Sequence, residues 1–169
     1  FGKAVSPGKK HVWEAMKYAE KKGVLLVKAA GNENQNIGEN EYFPTNFMKQ
    51  SDEKPFVSNM IVVGASTNNN QNLRARFSNY NGKMVDVFAP GQEIYSTVPD
   101  AKYEYLQGTS MASPVVAGAA AVLWAYMPSL TPQQIKEALV KTVNKSTVNA
   151  NEDSSANFDQ ISVAGGVID

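Results

Sequence analysis

Two short stretches carry residue types suited to attacking a carbonyl carbon and holding the charge that results: Gly108-Thr109-Ser110-Met111-Ala112 and Ala29-Ala30-Gly31-Asn32. A serine hydroxyl at neutral pH is a poor nucleophile. It needs a base to take its proton, donors to hold the oxyanion, and an accessible position. The setting of Ser110 supplies the last two, because Gly108 lets the chain turn closely and Ser110 opens a long apolar segment. The start of a helix there offers unpaired N–H groups and a dipole that favours negative charge. The same residues also read as a plain helix cap, the common role of Ser or Thr before an apolar helix. Asn32 sits just past an apolar run. Its amide can donate to a developing oxyanion, or Gly31-Asn32 can be no more than a turn.

No base accompanies them in the local sequence. The only histidine, His11, lies in Lys9-Lys10-His11-Val12-Trp13 at the start of an amphipathic pattern beside two lysines, which reads as a surface helix position. There is no cysteine, so thiol nucleophiles, disulfides and thiolate metal sites are excluded together. Aspartate and glutamate are scattered without metal-binding spacing, and the sequence assigns no metal ligand.

The elements that must position Ser110 and Asn32 follow from periodicity. Ser6-Pro7 reads as a helix start, and Val12, Trp13, Ala15, Met16 and Ala19 fall at helical spacing before Lys21-Lys22-Gly23 supplies a positive last turn and a stop. The apolar run Val24–Val27 follows as a strand buried on both faces. Residues 31 to 59 are rich in Asn, Glu, Pro and Gly and read as a long loop. Met60–Ala65 is a second buried strand. The polar Asn68-Asn69-Asn70-Gln71-Asn72 turn follows it. Val85–Ala89 and Ile94–Thr97 are strand candidates on either side of Pro90-Gly91. Ser110–Met127 reads as a helix buried in the middle of a domain. Thr131-Pro132-Gln133-Gln134 combines a capping hydroxyl, Pro at the first helical position and Gln three residues after the cap. That helix should turn Ile135, Ala138, Leu139 and Val143 inward. Residues 144 to 157 read as polar and exposed.

Composition narrows the function classes. The 169 residues, 43% of them hydrophobic, suffice for one domain with a real core. Lys plus Arg and Asp plus Glu number 16 each, so no excess positive charge favours nucleic acid or an anionic membrane. The apolar run Val115–Met127 is shorter than the roughly 20 residues of a membrane span. Phe1-Gly2-Lys3-Ala4-Val5 has no signal-peptide character, and Val163–Asp169 stops within an apolar segment. The expectation is a single domain over residues 1–169, truncated at the N-terminus and at the C-terminus.

The run from Gly108 to Gly118, Gly-Thr-Ser-Met-Ala-Ser-Pro-Val-Val-Ala-Gly, resembles the serine motif of the subtilase family of S8-type serine peptidases. Phe77-Ser78-Asn79-Tyr80, Val85-Asp86-Val87-Phe88-Ala89-Pro90-Gly91 and Ile94-Tyr95-Ser96-Thr97 resemble further stretches of that family, in order. Many members have His where this chain has Val115, a position outside the catalytic triad. The resemblance covers nearly the whole chain. It implies an α/β fold with a parallel β-sheet flanked by helices, here part of a three-layer subtilisin-like domain. It implies Ser110 as nucleophile and Asn32 as oxyanion donor in peptide-bond hydrolysis through an acyl-enzyme. It also implies that Gly2, Ala29, Ala30, Gly31, Gly108 and Thr109 line the substrate groove, with the Phe43-Pro44-Thr45 stretch helping to shape it. The family's Asp and His motifs do not occur and would precede Phe1.

The expectation is therefore a serine endopeptidase as the full-length protein, inert as this chain alone. The alternative is a non-catalytic subtilase-like pseudoenzyme or peptide-binding module. The implied partners are protein or peptide substrates, with self-association through an exposed sheet edge. No cofactor is expected, and calcium, known in the family, is not readable here. Location outside the cytoplasm is the family's habit and is carried by no residue in the chain.

Overall fold

The computed structural model describes residues 7–39, 42–49, 51–148, 150 and 156–168. A helix, α1 (Lys9–Lys21), leads into strand β1 (Leu26–Ala29), and β2 (Met60–Ser66) and β3 (Val87–Pro90) follow. A hairpin of β4 (Ile94–Val98) and β5 (Lys102–Leu106) precedes the long helix α2 (Thr109–Tyr126) and the shorter α3 (Pro132–Lys141). Two short strands, β6 (Asn144–Lys145) and β7 (Gly166–Val167), complete the main sheet. Its order is β1-β2-β3-β7-β6. The first four strands run parallel and only β6 is antiparallel.

β2 explains why the sheet is central: Met-Ile-Val-Val-Gly-Ala-Ser is buried at every position, the pattern of a strand covered on both faces. On one face, Met16 of α1 packs with Met60, Val62, Phe88 and Phe158. On the other, Ala112, Val116 and Ala120 of α2, with Ile135 and Leu139 of α3, pack on Ile61, Val63, Val87 and Ala89. The result is helix, sheet, helix, as the α/β expectation required.

Several sequence expectations shift. The first strand begins at Leu26 rather than Val24, because the Val24 N–H is still bonded to Ala19 O of α1 and pairing with the sheet starts at Leu26 N–H to Asn59 O, 2.8 Å. β1 is only partly buried, not enclosed on both faces, since among the described residues it pairs with β2 alone and forms the sheet's edge. α2 is not buried all round: Val115, Val122, Tyr126 and Met127 are exposed. By length and composition α2 could cross a membrane, but its buried side packs on β1, β2 and β3. Strand β5 was not foreseen. Its alternating Lys-Tyr-Glu-Tyr-Leu is exposed throughout, and the hairpin is held by Tyr95 against Tyr103 and Tyr105, with ring centroids 5.5 and 4.8 Å apart.

The start of α3 follows the sequence closely. Thr131 accepts from Gln134 N–H, and the Gln134 side chain accepts from Thr131 N–H, with Pro132 at the first helical position. α3 is tied to the sheet by one ion pair. Lys136 Nζ lies 2.7 Å from Asp86 Oδ1 and donates to Met60 O at 2.6 Å, while Asp86 Oδ2 accepts from Val62 N–H at 2.8 Å. Burial pushes the Asp86 carboxyl up from its ordinary value, and Lys136 and the Val62 N–H oppose that. Removing one partner leaves the other unpaired in the interior. Lys136→Met is expected to lower stability by roughly 3 kcal/mol in urea unfolding, and a loss under about 1 kcal/mol would show the pair to be dispensable.

Candidate active site

β1 and α2 bring the two sequence stretches together. The chain leaves β1 at Ala29 and turns through Gly31, whose φ of 109° is a conformation that disfavours any side chain. A Cβ on Gly31 would also sit 2.4 Å from Asn79 Nδ2 and 2.6 Å from the Tyr42 ring. Gly108 precedes α2 with φ 147°, and a Cβ there would come 3.3 Å from Asn32 Nδ2. Gly108 therefore permits a close approach between Asn32 and the start of α2, and Gly31 lets Asn79 and Tyr42 pack against the end of β1.

Thr109 forms the junction. Its side chain is fully buried, its Oγ1 accepts from Gly31 N–H at 3.1 Å and donates to Asn32 Oδ1 at 2.9 Å. Thr109 N–H, one of the unpaired donors of the first helical turn, also donates to Asn32 Oδ1 at 2.9 Å. Because two donors meet the same atom, that atom must be the carbonyl oxygen. The Asn32 NH2 group is therefore left unoccupied. Ser110 is exposed at the second position of α2, and its N–H has no acceptor among the described residues. Two free donors thus stand at one helix start beside an accessible hydroxyl.

The turn after β1 is held by Asn79, which is buried. Its Oδ1 accepts from Glu33 N–H at 3.1 Å and Gln35 N–H at 2.9 Å, and its Nδ2 donates to Ala30 O at 3.1 Å and Glu33 Oε2 at 2.7 Å. The Phe77-Ser78-Asn79-Tyr80 stretch was noticed in the sequence, but nothing local shows that its amide crosses to a loop more than forty residues earlier.

A cavity of about 190 Å³ lies against this junction. Ala29, Gly31, Glu33 and Tyr42 line it together with Asn32, Thr109 and Ser110. Glu33 and Tyr42 were not singled out in the sequence. Tyr42 donates its hydroxyl to Glu33 Oε1 at 2.9 Å, and burial together with the adjacent carboxylate pushes its phenol up to about 12. Tyr42 is therefore a neutral donor across the physiological range. Lys28 lies 5.0 Å over the Tyr42 ring, and burial pulls its ammonium down to about 8 against the pull of Glu33. Along the free edge of β1, a second cleft of about 340 Å³ is lined by Leu26, Ala29, Val12, Met16, Pro44 and Ser110 among others.

The expected groove residues divide. Ala29, Gly31 and Thr109 line the first cavity, but Ala30 is fully buried with Met16 and Phe88 in the core, because successive strand residues point to opposite faces. Gly108 is buried and acts through its backbone: its carbonyl accepts from Met111 and Ala112 N–H. Gly2 lies outside the described residues. His11 is exposed on α1 with Nδ1 3.6 Å from Glu14, as expected of a surface position. Among the described residues no three potential ligating side chains come together as a metal site.

The class of fold is that of subtilisin-like proteinases. The structure matches a crystal structure of a cold adapted subtilisin-like serine proteinase with a TM-score of 0.72 and 29% identity, over 96% of this chain and 52% of that one. The sequence profile of the subtilase family matches residues 1–160, and the chain belongs to that family. Among curated relatives it is 37% identical to Subtilisin DY of Bacillus licheniformis over 130 residues, 76% of this chain and 43% of the relative. It is 36% identical over 121 residues to a cell wall-associated protease of Bacillus subtilis (strain 168), 72% of this chain and 12% of the relative. The chain thus spans less than half the length of these curated relatives.

Proposed function

We propose that the full-length protein is a serine endopeptidase in which Ser110 attacks the peptide carbonyl and the Ser110 N–H and Asn32 NH2 hold the oxyanion. The observation that carries this is the double hydrogen bond from Thr109 to Asn32 Oδ1, which turns the amide donors outward beside the free N–H of Ser110. The general base and the acid that orients it come from the portion of the domain outside this chain, so residues 1–169 form part of one catalytic domain and are inert alone. The reaction uses no cofactor. Location outside the cytoplasm fits a relative described as cell wall-associated. Substitution of Ser110 in the full-length protein is the direct test.

The cavity beside Ser110 favours a basic side chain before the scissile bond. Among the described lining residues Glu33 is the only carboxylate, anchored by Tyr42 and Asn79. Glu33→Gln is expected to lower kcat/KM about tenfold for substrates with Lys or Arg at that position and to leave those with Leu nearly unchanged, the scale of one partly screened charge pair. Equal losses for both substrate types would refute the assignment.

Residues 1–169 on their own are proposed to self-associate. The free edge of β1 and the exposed apolar positions Val115, Val122 and Tyr126 on α2 are the surfaces concerned. Light scattering of this chain at about 50 μM should give dimers or larger species, an ordinary range for such hydrophobic association. A clean monomer would remove the proposal.

A further inference from the structure

A third cavity, of about 450 Å³, lies where the carboxyl ends of β2, β3 and β7 meet the antiparallel strand β6. Such a volume falls within the roughly 300–1,000 Å³ of small-molecule sites. Ligands of open parallel sheets bind outside the carboxyl ends of the strands. The cavity shares no lining residue with either cleft at Ser110.

Its lining is chemically one-sided. Leu73, Pro90, Val148, Val167 and Ile168 supply apolar surface, while Lys145 is the only charged residue among the described ones lining it, with Asn70, Asn144 and Ser146 as neutral polar groups. Among the described residues there is no carboxylate in the wall, and none pairs with Lys145. Ser66, the last residue of β2, also belongs to the wall. It is 1% exposed and its Oγ has no hydrogen-bond partner. Its hydroxyl is enclosed behind the wall and does not face the cavity.

We propose that this cavity is a second binding site, for a small carboxylate carried on an aliphatic body. Lys145 and the neighbouring amides take the carboxylate, and Leu73, Val148, Val167 and Ile168 take the aliphatic part. The site is independent of the chemistry assigned to Ser110.

The test uses the full-length protein with 13C-methyl-labelled Leu, Val and Ile, titrated with N-acetyl-L-leucine and, separately, with its amide. Saturable shifts are expected at Leu73, Val148, Val167 and Ile168, with the amide binding about tenfold more weakly, the scale of one charge-assisted hydrogen bond. Lys145→Ala should weaken the acid about tenfold and leave the amide unchanged. The whole proposal is overturned if no shift saturates by about 20 mM, weaker than any specific site of this size, or if acid and amide bind equally well. Loss of peptidase activity in any variant would bear on neither outcome, since the readout is binding.

Discussion

Ser110→Ala in the full-length protein is expected to lower kcat by about 10⁶-fold, the loss known for the same substitution in subtilisin, where the catalytic residues act as a unit. KM should change little. The folded state should be almost untouched, because Ser110 is exposed and its side chain makes no hydrogen bond within the described residues. A thermal midpoint within a degree or two of the parent, with activity reduced to the residue left by substrate binding and the oxyanion donors, separates loss of a nucleophile from loss of structure. Activity retained within tenfold would mean that another group attacks.

The second large effect is expected at Asn32, where two roles can be separated by choice of substitution. Asn32 Oδ1 binds both Thr109 N–H and Thr109 Oγ1, so it joins β1 to the first turn of α2. Its NH2 is the proposed oxyanion donor. Asn32→Asp keeps an acceptor for Thr109 and removes the donors, and should lower kcat by about 10²–10³-fold, the range known for a lost oxyanion donor in subtilisin. Stability should be preserved. Asn32→Ala removes both functions and should lose kcat by a similar factor together with about 1 kcal/mol of stability, since Thr109 N–H and Oγ1 lose their acceptor. If Asn32→Asp retains full kcat, the amide is a cap alone.

These two residues were legible in the sequence because their motifs are long and local. Gly108 to Gly118 fixes both the helix and the serine at its start, and Ala29 to Asn32 marks the end of a strand. The division of labour between them was not legible. That Thr109 would be fully buried and bonded to Asn32 depends on the packing of α2 against β1 across 77 residues of chain. Asn79, Glu33 and Tyr42 were missed for the same reason: each acts through contacts made only after the loop following β1 folds back. Ala30 was misplaced by treating Ala29-Ala30-Gly31 as one wall, although alternation along a strand sends Ala30 into the core.

The fold was read well wherever burial is decided locally. β2 is apolar at nearly every position and buried on both faces, and the α3 cap follows from three residues. The errors concern surroundings. An edge strand and a central strand have the same apolar sequence, so Val24–Val27 could not reveal that among the described residues β1 has a partner on one side only. The uniform apolarity of α2 suggested enclosure, but only Thr109, Ala112, Val116 and Ala120 are buried against the sheet and α3. Strand β5 escaped because its Lys-Tyr-Glu-Tyr-Leu pattern exposes every residue, and its pairing with β4 rests on tyrosine contacts across the hairpin.

Ser110 is proposed as a nucleophile whose base lies outside this chain. Active-site labelling with a fluorophosphonate probe tests it, comparing residues 1–169, the full-length protein and its Ser110→Ala variant. The full-length protein should label rapidly, its Ser110→Ala variant not at all, and the 169-residue chain at least about 10³-fold more slowly, as expected for a serine hydroxyl without its base. Labelling of the 169-residue chain as fast as the full-length protein, or labelling that persists without Ser110, would contradict it.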